Sequence, residues 1–240
     1  MKKLTLILFT AMLANSAQAQ DGFESDIFSV EGGTLRITFI SHGTLMLQWN
    51  DLVLHVDPVG AEADYSKLPK ADLVLVTHEH RDHLDAKAIE TIRKPNTVIV
   101  LNGRSYEQLK EGIVMKNGDT QSLLGVKIEA VPAYNTTEGR DQFHPRGRDN
   151  GYILTIGGKR VYIAGDTEDI PEMKQLRNID IAFLPMNQPY TMTPRQAASA
   201  ARAFKPKILY PYHYGETDAS ELARLLKDSP EIEVRVRKLD

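Results

Sequence analysis

Thr77-His78-Glu79-His80-Arg81-Asp82-His83-Leu84-Asp85 constrains this 240-residue chain more than any other stretch, because three of its seven histidines fall within six residues there. The apolar run Leu73–Val76 reads as a short buried strand that delivers the cluster. Asp85–Lys94 reads as a helix, acidic at its start, basic at its end and stopped by Pro95. Ligands spaced i, i+2, i+4 and i+5 cannot share one helical face, so a loop between strand and helix must gather them, around more than one ion. Imidazoles mixed with a carboxylate suit zinc, manganese, iron or cobalt. The chain has no cysteine, which excludes disulfides, a thiolate nucleophile and Cys-ligated zinc.

The rest of the chain reads as strands with helices between them. Leu35–Ile40, Thr44–Trp49 and Leu52–Val56 are strands, with an Asn50-Asp51 hairpin turn between the last two. Thr97–Leu101 is a strand and Arg104–Glu111 a short helix. Ile113–Met115, Thr120–Leu124 and Val126–Val131 are strands, followed by a long polar loop from Pro132 to Asn150. Tyr152–Ile156 and Arg160–Ala164 flank a Gly157-Gly158 turn. Ile179–Leu184 and Ile208–Tyr212 are strands on either side of a helix capped by Thr193 with Pro194 at its first position. A last helix runs from an Asp218 cap through Lys227, and Ile232, Val234 and Val236 alternate in a final strand. Two sheets packed face to face with helices outside, a four-layer αββα sandwich of the α/β (α+β) class, would bury all of these stripes in one domain, residues 33–240.

At the front, Lys2-Lys3, the apolar run Leu4–Leu13 and Ala17-Gln18-Ala19 have the form of a cleavable secretory signal over residues 1–19, and residues 20–32 read as an N-terminal leader into the fold. The expectation is a periplasmic or secreted product without stable membrane insertion. A formal charge of −3 argues against a nucleic-acid partner.

The HxHxDH pattern of His78, His80, Asp82 and His83 resembles the signature of the metallo-β-lactamase superfamily. The resemblance runs from about Gly33 to the end and includes Asp57-Pro58, Gly165-Asp166-Thr167 and His213. Pro132-Ala133-Tyr134-Asn135, His144-Pro145, Tyr190-Thr191-Met192-Thr193-Pro194 and Pro211-Tyr212-His213-Tyr214-Gly215 are similar to the branch of ascorbate-6-phosphate lactonases and N-acyl-phosphatidylethanolamine phospholipase D. It implies the metallo-β-lactamase fold and two divalent ions, zinc foremost, with manganese or iron as alternatives. His78, His80 and His144 would hold one ion, Asp82, His83 and His213 the other, and Asp166 would bridge them. His144 is the only histidine between His83 and His213; Glu138 and Asp141 are the loop's alternatives.

The implied activity is hydrolysis of a lactone or phosphodiester-type small molecule by a metal-bridging hydroxide, with Asp82 as the catalytic residue. The alternatives are a metal-binding or sensing protein without turnover, or an amide hydrolase of β-lactamase type. Asp57 and His42 are candidates to support the ligands from behind. Tyr134, Asn135, Arg146 and Tyr190 are candidates to line the pocket, with Arg146 and Arg148 placed to meet an anionic substrate group. His55, alternating with Leu54 and Val56, reads as structural.

Overall fold

The computed structural model describes residues 22–239, so the signal segment lies outside the described residues. The first sheet runs in chain order: β1 (Glu24–Val30), β2 (Gly33–Ser41), β3 (Thr44–Trp49), β4 (Leu52–Val56), β5 (Ala71–Leu75), β6 (Arg93–Leu101) and β7 (Ile113–Val114). The second runs in reverse order from β14 (Glu233–Val234) through β13 (Ile208–Tyr212), β12 (Ile181–Pro185), β11 (Lys159–Ile163), β10 (Asp149–Ile156) and β9 (Val126–Ala133) to β8 (Thr120–Leu123). Each sheet is antiparallel on one side and parallel on the other: β4 to β7 are mutually parallel in the first, β11 to β14 in the second.

Period-two alternation assigns the faces of the first sheet. Leu35, Ile37, Phe39, Leu45, Leu47, Leu54, Val56, Leu73 and Leu75 point to the inter-sheet core. Their neighbours Ile40, Met46, Val53, Val74 and Val76 form a separate outer cluster with Ala88, Ile89 and Ile92 of α1 (Ala86–Ile92). The sheets meet where the Phe39 ring lies 4.9 Å from that of Tyr210 and 6.2 Å from that of Phe183. On the far side, α4 (Pro194–Phe204) covers the second sheet with small residues and one aromatic, Phe204, set edge-on to Tyr162 at 5.9 Å. Thr193 and Gln196 cap it reciprocally, with Pro194 in its first turn. The remaining helices are α2 (Gly103–Leu109), α3 (Pro171–Lys174) and α5 (Ser220–Leu225). The four-layer sandwich is the observed architecture. Among the described residues no helix is long and apolar enough to cross a membrane.

The segment expected as a leader is instead structural. Residues 24–30 pair in full register with β2, from Glu24 opposite Phe39 to Val30 opposite Gly33. Asp26 explains the docking. Its carboxylate accepts from Tyr210 of the other sheet and from the guanidinium groups of Arg235 and Arg237, so one half-buried anion ties the start of the domain to its end. The last strand is only Glu233–Val234, and Arg235 and Arg237 just beyond it pair with Asp26. The long loop is also shorter than expected: β9 extends to Ala133 and β10 begins at Asp149.

His55 is fully buried on the outer face, its Nε2–H donating to the carbonyl of Pro69 at 3.0 Å. Burial lowers its pKa from 6.5 to about 4, the bond to Pro69 opposing only in part. An unfolded chain therefore takes up this proton near pH 6.5 and the folded one only near pH 4, so stability is full above 6.5 and declines as pH falls toward 4. The wild type should lose up to about 3 kcal/mol across that window relative to His55→Gln. Denaturant unfolding of metal-free protein at stepped pH checks this; superimposable pH profiles would refute it.

Candidate metal centre

The parallel halves of both sheets deliver their strand ends to one edge of the sandwich. Asp57 follows β4, Thr77-His78 follows β5, Gly165-Asp166-Thr167 follows β11, Asn187 follows β12 and His213 follows β13. Crevices beyond the carboxyl ends of parallel strands are where open α/β sheets bind ligands. Between β5 and α1 the chain turns tightly, with the amides of His83 and Leu84 both donating to the carbonyl of His80, and Asp85 caps the helix. Three side-chain groups result, in each of which the donor atoms lie within 4.8 Å of one another: His78, His80 and His144; His78, His83 and Asp166; and His42, Asp82 and His213.

Asp166 joins these groups. Its Oδ2 lies 3.4 Å from His144 Nε2, 3.9 Å from His78 Nε2 and 3.6 Å from His213 Nε2, and its Oδ1 lies 3.6 Å from His83 Nε2. Asp82 Oδ2 in turn lies 3.4 Å from His213 Nε2 and 3.7 Å from His83 Nε2. Two donors each about 2.1 Å from a tetrahedral ion stand about 3.4 Å apart, so these separations suit atoms that share a cation. The buried atoms His83 Nε2, His213 Nδ1 and Nε2, and Asp166 Oδ1 have no hydrogen-bond partner among the described residues. Leaving so many polar atoms unpaired in a buried cluster is costly, and a divalent ion satisfies them. The residues present fit a pair of metal ions.

Behind the donors, buried groups fix which nitrogen faces inward. Asp57, fully buried, accepts from His83 Nδ1 at 2.8 Å, from the Thr77 amide at 2.8 Å and from the Thr77 hydroxyl at 2.7 Å. Since Thr77 Oγ1 donates to Asp57, it accepts from His78 Nδ1–H at 2.9 Å. Asp149 accepts from His144 Nδ1 at 3.1 Å. His83, His78 and His144 thus each turn Nε2 to the centre, and in the neutral ring that nitrogen is the one without a proton.

The beta-lactamase superfamily domain model matches residues 36–213 of the chain. The chain belongs to the metallo-β-lactamase superfamily. A UPF0173 metal-dependent hydrolase of Thermococcus kodakarensis is 33% identical over 217 residues, covering 82% of this chain and 95% of that protein. A crystal structure from Parabacteroides distasonis, assigned provisionally to the metal-dependent hydrolases, is 61% identical with a TM-score of 0.89 and covers 91% of this chain and 100% of that one. Igni18, a metallo hydrolase of Ignicoccus hospitalis, is 25% identical with a TM-score of 0.72, over 85% of this chain and 95% of its own.

In this superfamily member the charges of the centre are strongly coupled. Burial disfavours charge on Asp166, yet His213 and His83 hold its carboxyl well below the usual range. Burial likewise opposes ionisation of Asp82, and His213 and His42 overcome it. Burial opposes the imidazolium of His83, but Asp166 and Asp57 outweigh it and raise its pKa well above 6.5. For His78, burial and then His83 push the pKa well down. Backbone strain collects here too: His42, Asp57 and His213 adopt φ of 50°, 46° and 45°. Gly43 is required by packing, since a Cβ there would stand 2.9 Å from the His83 ring and 3.1 Å from that of His213.

Of the expected pocket residues only Tyr190 lines the cavity over the centre, about 230 Å³ in volume and bounded also by His80, Asp82, Phe143, His144, Asp166, Asn187 and His213. Tyr134 turns away, its hydroxyl donating to Glu172 at 2.8 Å. Asn135 is spent on the carbonyls of Arg140 and Tyr190. Arg146 pairs with Glu172 at 2.8 Å over the Tyr134 ring and lines a different groove, and Arg148 pairs with Asp149 and Glu79. The expected arginine contact with an anionic substrate group is therefore not made in this cavity; nearer carboxylates capture both side chains.

The sequence reading missed Thr77, Phe143, Asp149, Glu168 and Asn187. Glu168, fully buried, accepts from the amides of Thr136 and Thr137 at 2.8 and 2.7 Å and so anchors the loop that carries His144. Asp57→Asn should lower affinity for the ion beside His83 about 10- to 100-fold. Competition with a chromophoric chelator reads this, and unchanged affinity would remove Asp57 from the centre.

Proposed function

We propose that the protein is a dinuclear metal-dependent hydrolase acting on a lactone or phosphodiester-type small molecule, with zinc as the expected metal. The observation that carries this reading is Asp166, a buried carboxylate within 3.4–3.9 Å of imidazoles from two donor groups. His78, His80 and His144 would hold one ion, Asp82, His83 and His213 the other, and Asp166 both. When bound, two such ions supply a water acidic enough to act as a nucleophile at neutral pH and offset charge that develops on the reacting group.

The chain's own residues set the geometry. Asp82 is nearly half exposed, whereas His78, His83, His144, Asp166 and His213 are buried, so Asp82 is the carboxylate that meets entering water and substrate. His42 donates from Nε2 to Asp82 Oδ2 at 3.4 Å and lies against His213 with ring centroids 3.8 Å apart and planes tilted by 40°, which supports Asp82 from one side. Phe143 and Tyr190 shelter the other side from bulk water. No Ser, Cys or Lys nucleophile is needed.

The test is a screen of metal-loaded protein against lactones, phosphodiesters, N-acyl phospholipids and β-lactams. Turnover should be found among the first two classes, and Asp82→Ala should lower kcat/KM by more than about a hundredfold while unfolding remains cooperative. Elemental analysis should give close to two ions per chain. Full metal loading without turnover of any class would instead support a metal-binding or sensing protein.

A further inference from the structure

The cavity over the metal centre has two unlike walls. One is made by His80, Asp82, His144, Asp166 and His213; the other by Phe143, Asn187 and Tyr190. We propose that this second wall selects the substrate, and that the substrate is an uncharged ester or lactone whose non-reacting part is a single flat aromatic ring. The proposal rests on the hydrolase reading above and narrows it.

The shape of the wall is the first argument. The rings of Phe143 and Tyr190 meet edge to face, centroids 5.0 Å apart at 79°. Tyr190 leaves 43% of its surface open although it is a large aromatic residue, and Phe143 is half-buried. Both are held in place through their backbones. The Phe143 amide donates to Arg140 and its carbonyl accepts from Arg148, while the Tyr190 amide donates to Asn187 and its carbonyl accepts from Asn135. A ring entering the cavity therefore meets preset aromatic edges with little ordering left to do. The volume of about 230 Å³ is below the range of about 300–1,000 Å³ usual for drug-sized ligands, and it suits an occupant of one ring and the reacting group.

Charge is the second. No Lys or Arg lines this cavity. The wider groove on the other side of His80 and Asp82 sets Glu62 and Glu79 against Arg81 alone. A phosphate or carboxylate carried away from the reacting atoms would find aromatic edges and carboxylates in place of a counter-ion, an unfavourable exchange for its hydration. The polar group that is on offer is neutral. The Asn187 side-chain amide has no hydrogen bond within the described residues, and Gly215 makes room for it, since a Cβ there would stand 3.0 Å from Asn187 Oδ1. That amide matches an ester or ring oxygen. Hydrolysis adds one water across the acyl C–O bond, the hydroxyl going to the carbonyl carbon and the proton to the departing oxygen.

Zinc-loaded protein is assayed with phthalide, with γ-butyrolactone, which keeps the reacting group and lacks the aromatic ring, and with ring-carboxylated phthalide, each rate referred to its uncatalysed hydrolysis. Phthalide should exceed each of the others by about tenfold in kcat/KM, mainly through KM. In Phe143→Leu and Tyr190→Ala the phthalide to γ-butyrolactone ratio should fall toward one with metal content unchanged. Equal or better turnover of γ-butyrolactone or of the carboxylated ring, or a ratio unmoved in both variants, overturns the proposal and leaves the hydrolase reading standing. No turnover of any of the three, nor of any class in the wider screen, by protein shown to carry its metal overturns both.

Discussion

One carboxylate holds the two halves of this molecule in functional register. Asp166 comes from the second sheet, while His78 and His83, which it faces at 3.9 and 3.6 Å, come from the first. A buried anion is tolerable only beside opposite charge, and for Asp166 of the second sheet His83 of the first supplies it. The Phe39, Phe183 and Tyr210 contacts fix the distance between the sheets, and Asp166 uses that distance. Packing and chemistry therefore make the same demand on the sandwich, and a shift of one sheet along the other would misplace the cluster along with the core.

How far the sequence reveals this depends on how local each interaction is. The His78 to His83 cluster is legible because strand, turn and helix cap lie in consecutive residues, and the alternation of Leu35, Ile37 and Phe39 against Ile40 is legible because period two is a property of one strand. The strand at residues 24–30 is not legible. Its stability comes from Tyr210, Arg235 and Arg237, roughly two hundred residues away, and its own composition carries no clear period. Arg146 fails for the same reason in reverse: proximity to His144 in sequence suggests proximity to substrate, but Glu172, far along the chain, captures its guanidinium. Asp149 supports His144 yet gives no signal, since nothing about a carboxylate five residues on says which way a loop folds.

Support from behind the donors is laid down in a graded order. Asp57 serves His83 directly and His78 through Thr77, Asp149 serves His144, and Glu168 holds the loop on which His144 sits. His42 faces Asp82, the half-exposed carboxylate of the cluster, and is itself only partly buried. Rigidity is thus greatest where the cluster must be fixed and least where water and substrate enter, as expected of a site that must be preorganised and still admit a ligand.

The same arrangement concentrates strain and charge around the donors. His42, Asp57 and His213 hold positive φ, His83 carries a raised pKa beside buried carboxylates, and several donor atoms find no partner among the described residues. A divalent ion held by these residues would satisfy the orphaned atoms and would take the place of the proton on His83. The fold thus holds its donors aligned at a cost in stability, which bound divalent ions would offset.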